Sequence, residues 1–555
     1  MMGGACSRKR DQQVNEDSGN RGIYGRYCKS GSSKWLGNSI SRLAVDNKQG
    51  KTKCPSLMEL CIYKIREDID KYSSFSMLPR DISQQIFNEL VYSQCLTEVS
   101  LGAFRDCALQ DLDLGEYPGL EDSWMDVISS QELSLLSVDL SGSDVTDSGL
   151  IHLKNCTNLQ AMNFNYSDQI SDHGLEHISG LSNLATLSFR RNNQITAQGL
   201  SVLSGLVNLL KLDLERCPGI HGGLVHLKGL TKLESLNIKC CNCITDADMK
   251  PLSGLHKLSL LNMEGCPITA ACLDCLAALP ALLYLNLSRC NLSDDGCEKI
   301  SGLRKLKVLN LGFNDITDAY LVHLRGLTNL ETLNLDSCRI DDEGLVNLTG
   351  LQRLRCLELS DTEVGSNGLR HLAGLTSLVS INLSFTVVTD SGLKKLAGLA
   401  SLTSLNLDAR QITDAGLASL TSLTGLMHLD LFGARITDSG TNYLKNFKNL
   451  RSLEICGGGL TDAGVKNIKD LSSLTVLNLS QNNNLTDKTL ELISGLTQLV
   501  SLNVSNSRIT TAGLQHLRSL KNLKSLNLDS CKVTAYDIEK LQSTDLPNLV
   551  SFRPE

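Results

Sequence analysis

The sequence predicts an α/β solenoid, a horseshoe with one continuous parallel β-sheet on its concave face and short helices on its convex face. Three observations carry that reading. A block of 24 or 25 residues recurs along most of the 555-residue chain. Each block joins an apolar pair at period 2, the signature of a strand, to leucines at every third position, the mark of a short helical turn. Aromatic residues make up 4% of the chain against 41% hydrophobic residues, so the core must be aliphatic and laid down in thin layers.

One block begins with the strand Leu309-Asn-Leu311 and continues through Leu321, Leu324, Leu327 and Leu330, after which Leu333-Asn-Leu335 begins the next. With the second apolar residue of each Leu-x-Leu as marker, 17 units run from Leu140 to Leu528, and degenerate units flank them at Leu114 and Phe552. Between strand and helix, Thr317-Asp318 supplies an N-cap and an acidic first turn. The same Thr/Ser-Asp pair returns at 146, 171, 245, 293, 389, 413, 437, 461 and 486. A single unit cannot bury its leucines, whereas stacked units bury them against one another and align their strands in one sheet.

Three residues after the marker stand Cys217, Cys241, Cys266, Cys290, Cys338 and Cys531, with Asn192, Asn314 and Asn482 at the same place in other units. With the Ile-Thr-Asp-x-Gly-Leu that follows, this pattern resembles the leucine-rich repeats, and among them the cysteine-containing subclass, over about residues 110 to 555. The resemblance implies a leucine-rich-repeat solenoid in which these residues point inward and bond neighbouring backbone turns as a structural ladder. Arg410, Ala434 and Gly458 depart from the pattern, and the ladder is expected to be interrupted there.

The first hundred residues differ. Residues 1 to 72 hold 14 Lys/Arg against 8 Asp/Glu, a local +6, so the remainder carries −13 of the net −7. Residues 1–55 read as a basic, disordered tail, 56–108 as a helical N-terminal cap, and 109–555 as the solenoid of about 18 repeats. The capping box Ser56-x-x-Glu59 opens a helix expected over 56–71. Further on, Leu78, Pro79, Asp81, Ile86, Phe87 and Leu90 resemble the first helix of an F-box. Joined to leucine-rich repeats, that resemblance implies a substrate receptor of an SCF-type ubiquitin ligase, with these six residues contacting the ligase adaptor. Residues 96–114 instead align with the repeat, so the helix also reads as a plain cap. Met2-Gly3-Gly4-Ala5-Cys6-Ser7 fits an N-myristoylation pattern at Gly3, with Cys6 open to palmitoylation and Arg8-Lys9-Arg10 beside it. If Gly3 becomes the first residue, these signals would tether the chain to the inner face of a membrane.

Twenty cysteines with no secretory leader before them read as reduced thiols, which places the chain in the cytosol or nucleus and not outside the cell. The acidic balance argues against nucleic acid as partner. Cys240, Cys241, Cys243, Cys266, Cys272 and Cys275 cluster in sequence but scatter over the repeat, so no zinc site is expected. No nucleophile elbow, phosphate loop or zinc-protease motif is present, and the reading is a non-enzymatic chain without cofactor or metal.

About 18 strands spaced ~4.8 Å make an arc on the order of 85 Å, sized for a protein partner. Residues just after the markers face that partner. They place Arg190, Arg191, Arg216 and Lys239 on neighbouring repeats as a basic subsite, and Phe313, Phe385 and Phe432 farther along as an apolar one. Arginine and aromatic residues are enriched at interface hot spots. The alternative, that Arg190, Arg191 and Lys239 only balance Glu215 and Glu264, stays open. The expected function is protein recognition on the concave face, either as a ligase substrate receptor or as a scaffold or inhibitor-like binder without a ligase link.

Overall fold

The computed structural model describes residues 55–408 and 411–553; Gly3, Cys6 and Arg410 lie outside them. The chain divides between Glu67 and Asp68. In the first unit, helix α1 (Leu57–Glu67) opens on the expected capping box: Ser56 N–H donates to Glu59 Oε2 at 2.5 Å and Glu59 N–H to Ser56 Oγ at 3.2 Å. The helix stops at Glu67, short of the expected 71, and Ile69–Lys71 forms a separate 3₁₀ turn of the second unit. Asp68 and Asp70 are poor helix formers and place negative charge at a helix C-terminus, where the dipole disfavours it.

The second unit is the solenoid. Nineteen three-residue strands, from β1 (Asp111–Asp113) to β19 (Ser551–Arg553), pair in parallel, each in register with the next. Pairing begins one residue before each strand: the Lys307 carbonyl accepts from the N–H groups of Glu331 and Thr332 at 2.8 and 2.9 Å. Inward residues of successive strands stack as Leu309, Leu333, Leu357 and Ile381. The convex side carries short α or 3₁₀ turns, and Leu321, Leu324, Leu327 and Leu330 beneath them are fully buried.

Two ladders tie the layers together. In the first, Asn314 Nδ2 donates to the carbonyls of Leu287 and Leu311, both at 2.8 Å, while its Oδ1 accepts from Leu292 N–H. Asn482 repeats the arrangement with Ile455, Leu479 and Leu460, and Asn192 donates to Ser167 and Ile170. The cysteines donate more weakly to the preceding layer: Cys217 to Phe189 O at 3.1 Å, Cys241 to Leu214 O and Cys266 to Ile238 O at 3.0 Å. Cys290, Cys338 and Cys531 reach Met263, Leu311 and Val504 at 3.4 Å. Burial pushes the Cys217, Cys266, Cys290 and Cys338 thiols up to about 12 and raises Cys241 as well, so they act as neutral donors and not as reactive thiolates. Ala434 and Gly458 carry no donor, and the side-chain ladder lapses there.

The second ladder explains the Thr-Asp motif more fully than an N-cap does. Thr413 Oγ1 caps its own turn by accepting from Ala415 N–H, and its own N–H and hydroxyl donate to both carboxylate oxygens of Asp390 one layer earlier. Asp122–Thr146, Asp147–Ser171, Asp294–Thr317, Asp438–Thr461 and Asp462–Thr486 do the same. The glycine of Thr-Asp-x-Gly-Leu leaves room for it: at Gly149 or Gly416 a Cβ would run into the carboxylate of Asp122 or Asp390.

At the N-terminal end, helix α2 (Arg80–Tyr92) covers the first strand. Gln84 substitutes for a missing neighbour strand: its Oε1 accepts from Gln110 N–H at 2.9 Å and its Nε2 donates to Asp111 O at 2.7 Å. Ile86, Phe87 and Leu90 are buried, with Phe87 edge-on to Phe104 at 5.6 Å and Phe104 against Phe75 at 4.9 Å. This corrects the expectation that these three contact an adaptor: an amphipathic helix has one apolar face, and here that face closes the solenoid core. Leu78, Pro79 and Asp81 remain exposed.

Several rungs of the second ladder are irregular: Asp342 meets only the Gly365 N–H, Ser366 replaces the aspartate before Thr389, and a third case lies at Asp318. At Asp318 the next layer offers Asp341 in place of threonine, and only the Asp341 N–H donates, at 3.1 Å. Burial, then the neighbouring Asp341, pushes the Asp318 carboxyl up to about 6. The native state therefore holds this proton more tightly than the unfolded chain does, and stability falls as pH rises from about 4 to about 6. Asp341→Thr restores the rung: urea unfolding at pH 7 is expected to show a gain of about 1 kcal/mol, and the loss of stability between pH 4 and pH 6 should shrink.

Candidate protein-binding ridge

Beyond the last residue of each strand the chain must turn outward while still pairing with the next layer. It does so through one left-handed residue, two positions after the marker. Tyr166, Arg191, Arg216, Cys240, Arg289, Phe313 and Phe385 all have φ between 53° and 60°, and Gly142, Gly265, Gly433 and Gly457 fill the same place in other repeats. In this conformation the N–H points to the following layer: Arg191 donates to Glu215 O at 2.7 Å, Arg216 to Lys239 O at 2.8 Å and Phe313 to Asp336 O at 2.7 Å. The side chains are thereby turned out in a column along the strand ends, with Tyr166, Arg191, Arg216, Arg289, Phe313 and Phe385 exposed.

Left-handed backbone costs a residue with a Cβ about 1 kcal/mol relative to glycine, so large side chains here stand against the local preference. Two pairs of them stack across adjacent repeats. The Arg289 guanidinium lies 3.7 Å from the Phe313 ring centroid and the Arg191 guanidinium 5.6 Å from that of Tyr166. Tyr166 and Arg289 escaped the sequence reading. The recurrence of glycine at this offset was the available signal for a left-handed column.

The expected basic subsite is split by the structure. Arg190 lies in the strand floor, 21% exposed, and its Nη2 pairs with Asp213 Oδ2 at 3.3 Å and Glu215 Oε2 at 3.2 Å. Lys239 pairs with Glu264 at 3.0 Å. Both charges are neutralised inside the face, because the floor position points them along the sheet at acids of neighbouring strands. Arg191 and Arg216 sit one residue later, on the left-handed turn, and join no ion pair among the described residues. The three phenylalanines do not converge either. Phe313 is 39% exposed and backed by Arg289, Phe385 is 66% exposed three repeats on, and Phe432 is 36% exposed in the floor of a repeat whose left-handed residue is Gly433.

The face changes sign along its length. From Val308 to Ser530, strand residues and the two that follow each strand's marker hold Asp336, Glu358, Asp361, Asp408, Asp430, Glu454 and Asp529 but no lysine or arginine among the described residues. Burial pushes Glu358 up to about 7, and burial with the nearby Glu454 does the same for Asp430.

An open sheet with an outward ridge and layered leucines defines a leucine-rich-repeat solenoid. Comparison with known proteins agrees. Residues 280–340 and 448–509 match one leucine-rich-repeat model, and residues 133–153, 229–253 and 374–397 match another. No curated protein sequence matches the chain. Among solved structures, the mouse RP105/MD-1 complex is similar at 19% identity, with a TM-score of 0.50 over 80% of this chain and 84% of that one. A plant peptide hormone receptor, RGFR1 in complex with RGF2, is similar at 17% identity, with a TM-score of 0.42 over 83% and 81%. The functional domain of InlJ from Listeria monocytogenes, which includes a cysteine ladder, is similar at 21% identity, with a TM-score of 0.39 over 72% and 75%. No helix among the described residues is long and apolar enough to cross a membrane.

If the ridge residues stand against local preference, Arg216→Gly should raise stability by about 1 kcal/mol. Thermal or urea unfolding reads the gain, and a loss would show that the Arg216 side chain contributes to the fold.

Proposed function

We propose that this chain is a non-enzymatic recognition protein that binds another protein along its concave face and strand-end ridge. The supporting observation is the left-handed column, in which exposed Tyr, Arg and Phe stand where glycine would be the more stable choice. The buried free thiols of the ladder suit a reducing compartment, and the cytosol or nucleus is the proposed location. The test is a photo-crosslinking amino acid placed at Phe385 on the ridge, at Asn478 in the floor, and at His323 on a convex turn. Partner crosslinks are expected from Phe385 and Asn478 and not from His323; equal crosslinking from His323 would reject concave binding.

A second reading assigns the N-terminal cap to a ubiquitin-ligase adaptor. It is supported by the exposed start of α2, where Met77 is 95% exposed and Leu78 and Pro79 follow it at the surface. Under this reading the full chain retains the adaptor in a pull-down, and Leu78→Asp with Pro79→Ala loses it with unchanged thermal unfolding. Failure of the unsubstituted chain to retain the adaptor rejects the ligase role and leaves an unlinked scaffold or inhibitor-like binder. A lipid tether through Gly3 and Cys6 goes with that scaffold or inhibitor-like reading, as a way of holding the chain at the inner face of a membrane.

A further inference from the structure

The floor and the ridge differ in what they leave available. In the floor of the repeats from Arg190 to Glu264, two of the three cations are spent on its own acids, as the Arg190–Asp213, Arg190–Glu215 and Lys239–Glu264 pairs record, and the third is Lys211 at a strand start. The ridge above it has not. Arg191 and Arg216 are adjacent on the left-handed column, exposed, and without a carboxylate partner among the described residues. Arg191 is steadied over the Tyr166 ring, which restricts its guanidinium without neutralising it. Four repeats past Arg216 along the same column, Phe313 exposes a ring whose other side is covered by Arg289.

We infer that the ridge from Tyr166 to Phe313 takes an acidic, extended segment of a protein partner, with carboxylates on Arg191 and Arg216 and an apolar or aromatic side chain on Phe313. The inference rests on the concave-face reading above and names its partner's chemistry. Planar guanidinium groups match carboxylates in a bidentate fork, and two of them on neighbouring repeats fit two acids of one segment. Four repeat spacings span about 19 Å, which an extended chain covers in about six residues. The recognised segment therefore carries an acidic pair and, about six residues away, an apolar anchor. A long polyanion is disfavoured because the chain is acidic overall and the face beyond Phe313 carries Asp336 and Asp361, which would repel it. A segment with acids at one end only avoids that repulsion.

The test uses the full chain over immobilised peptides. The probes are Glu-Glu-Ser-Gly-Ser-Gly-Ser-Phe, its Lys-Lys counterpart, the same acidic composition with Phe beside the glutamates, and a DNA dodecamer. The spaced acidic peptide is expected to retain the chain at least tenfold better than the lysine peptide and better than the unspaced one, with retention falling as salt rises. Arg191→Glu with Arg216→Glu should lower retention at least tenfold, whereas Lys466→Glu with Lys469→Glu on the convex side should not. Arg191→Gly with Arg216→Gly serves where the charge reversal fails to fold: it should melt no lower than the parent and still lose retention. Equal retention by the lysine peptide, equal retention by the unspaced one, stronger retention by DNA, or retention unchanged in the glycine variant would each overturn the inference. So would concentration-dependent self-association abolished by the same substitutions, which would make a second copy the occupant. If the inference fails while Phe385 still crosslinks a partner, concave-face recognition stands and only the chemistry assigned to this ridge falls.

Discussion

Every layer of this molecule is incomplete without the next. A repeat of 24 or 25 residues leaves its leucines half covered and the backbone groups of its strand, turn and outward bend unpaired, and each of those deficits is met one layer on. The Lys307 carbonyl meeting two N–H groups of the following layer, the Asn314 amide spanning two, and the left-handed N–H of Arg216 reaching Lys239 O are three expressions of one rule. Because the rule is local, length adds no difficulty: the core never thickens, and leucine suits a thin layer better than an aromatic ring does.

The same rule sorts residues into those the fold owns and those it leaves free. Asp390, Thr413, Asn314 and Cys266 are owned, since each closes a bond that no other atom can close. Arg190 and Lys239 are owned in a weaker sense, because they neutralise acids on neighbouring strands. Arg191, Arg216, Phe313 and Phe385 lie outside these accounts. They stand at the strand ends, in a sheet that opens on one side, and the fold gives them no task. A binding function is therefore argued from residues that stability does not explain.

The repeat period, the strand and helix halves, and the inward Asn and Cys positions were legible in the sequence because each leaves a periodic mark. Flanking units at Leu114 and Phe552 were legible for the same reason. What escaped was whatever depends on direction. The Thr-Asp pair reads as a cap within one layer, and nothing in a single block reveals that Asp390 reaches forward to Thr413. Arg190 and Arg191 are neighbours in sequence with similar chemistry, yet one is drawn into the floor and the other turned out, a difference made by one backbone angle. Ile86, Phe87 and Leu90 form a pattern that serves an adaptor or a core equally well, and only the presence of Phe104 and Gln110 beside them decides. Periodicity specifies where a side chain lies in its own repeat; its partners are fixed by geometry between repeats.

The left-handed column has a consequence for how such a protein can change. At those positions the structural bond is made by the main chain, so the identity of the side chain is not part of the bond. Glutamate, tyrosine, arginine, cysteine, phenylalanine, serine, aspartate, glutamine and asparagine all occupy it in this one molecule, at Glu116, Tyr166, Arg191, Cys240, Phe313, Ser337, Asp361, Gln481 and Asn506. Each is a separate trial of chemistry on an unaltered support. Affinity can thus be rewritten one repeat at a time, in single substitutions, without the compensating changes that a packed interior demands.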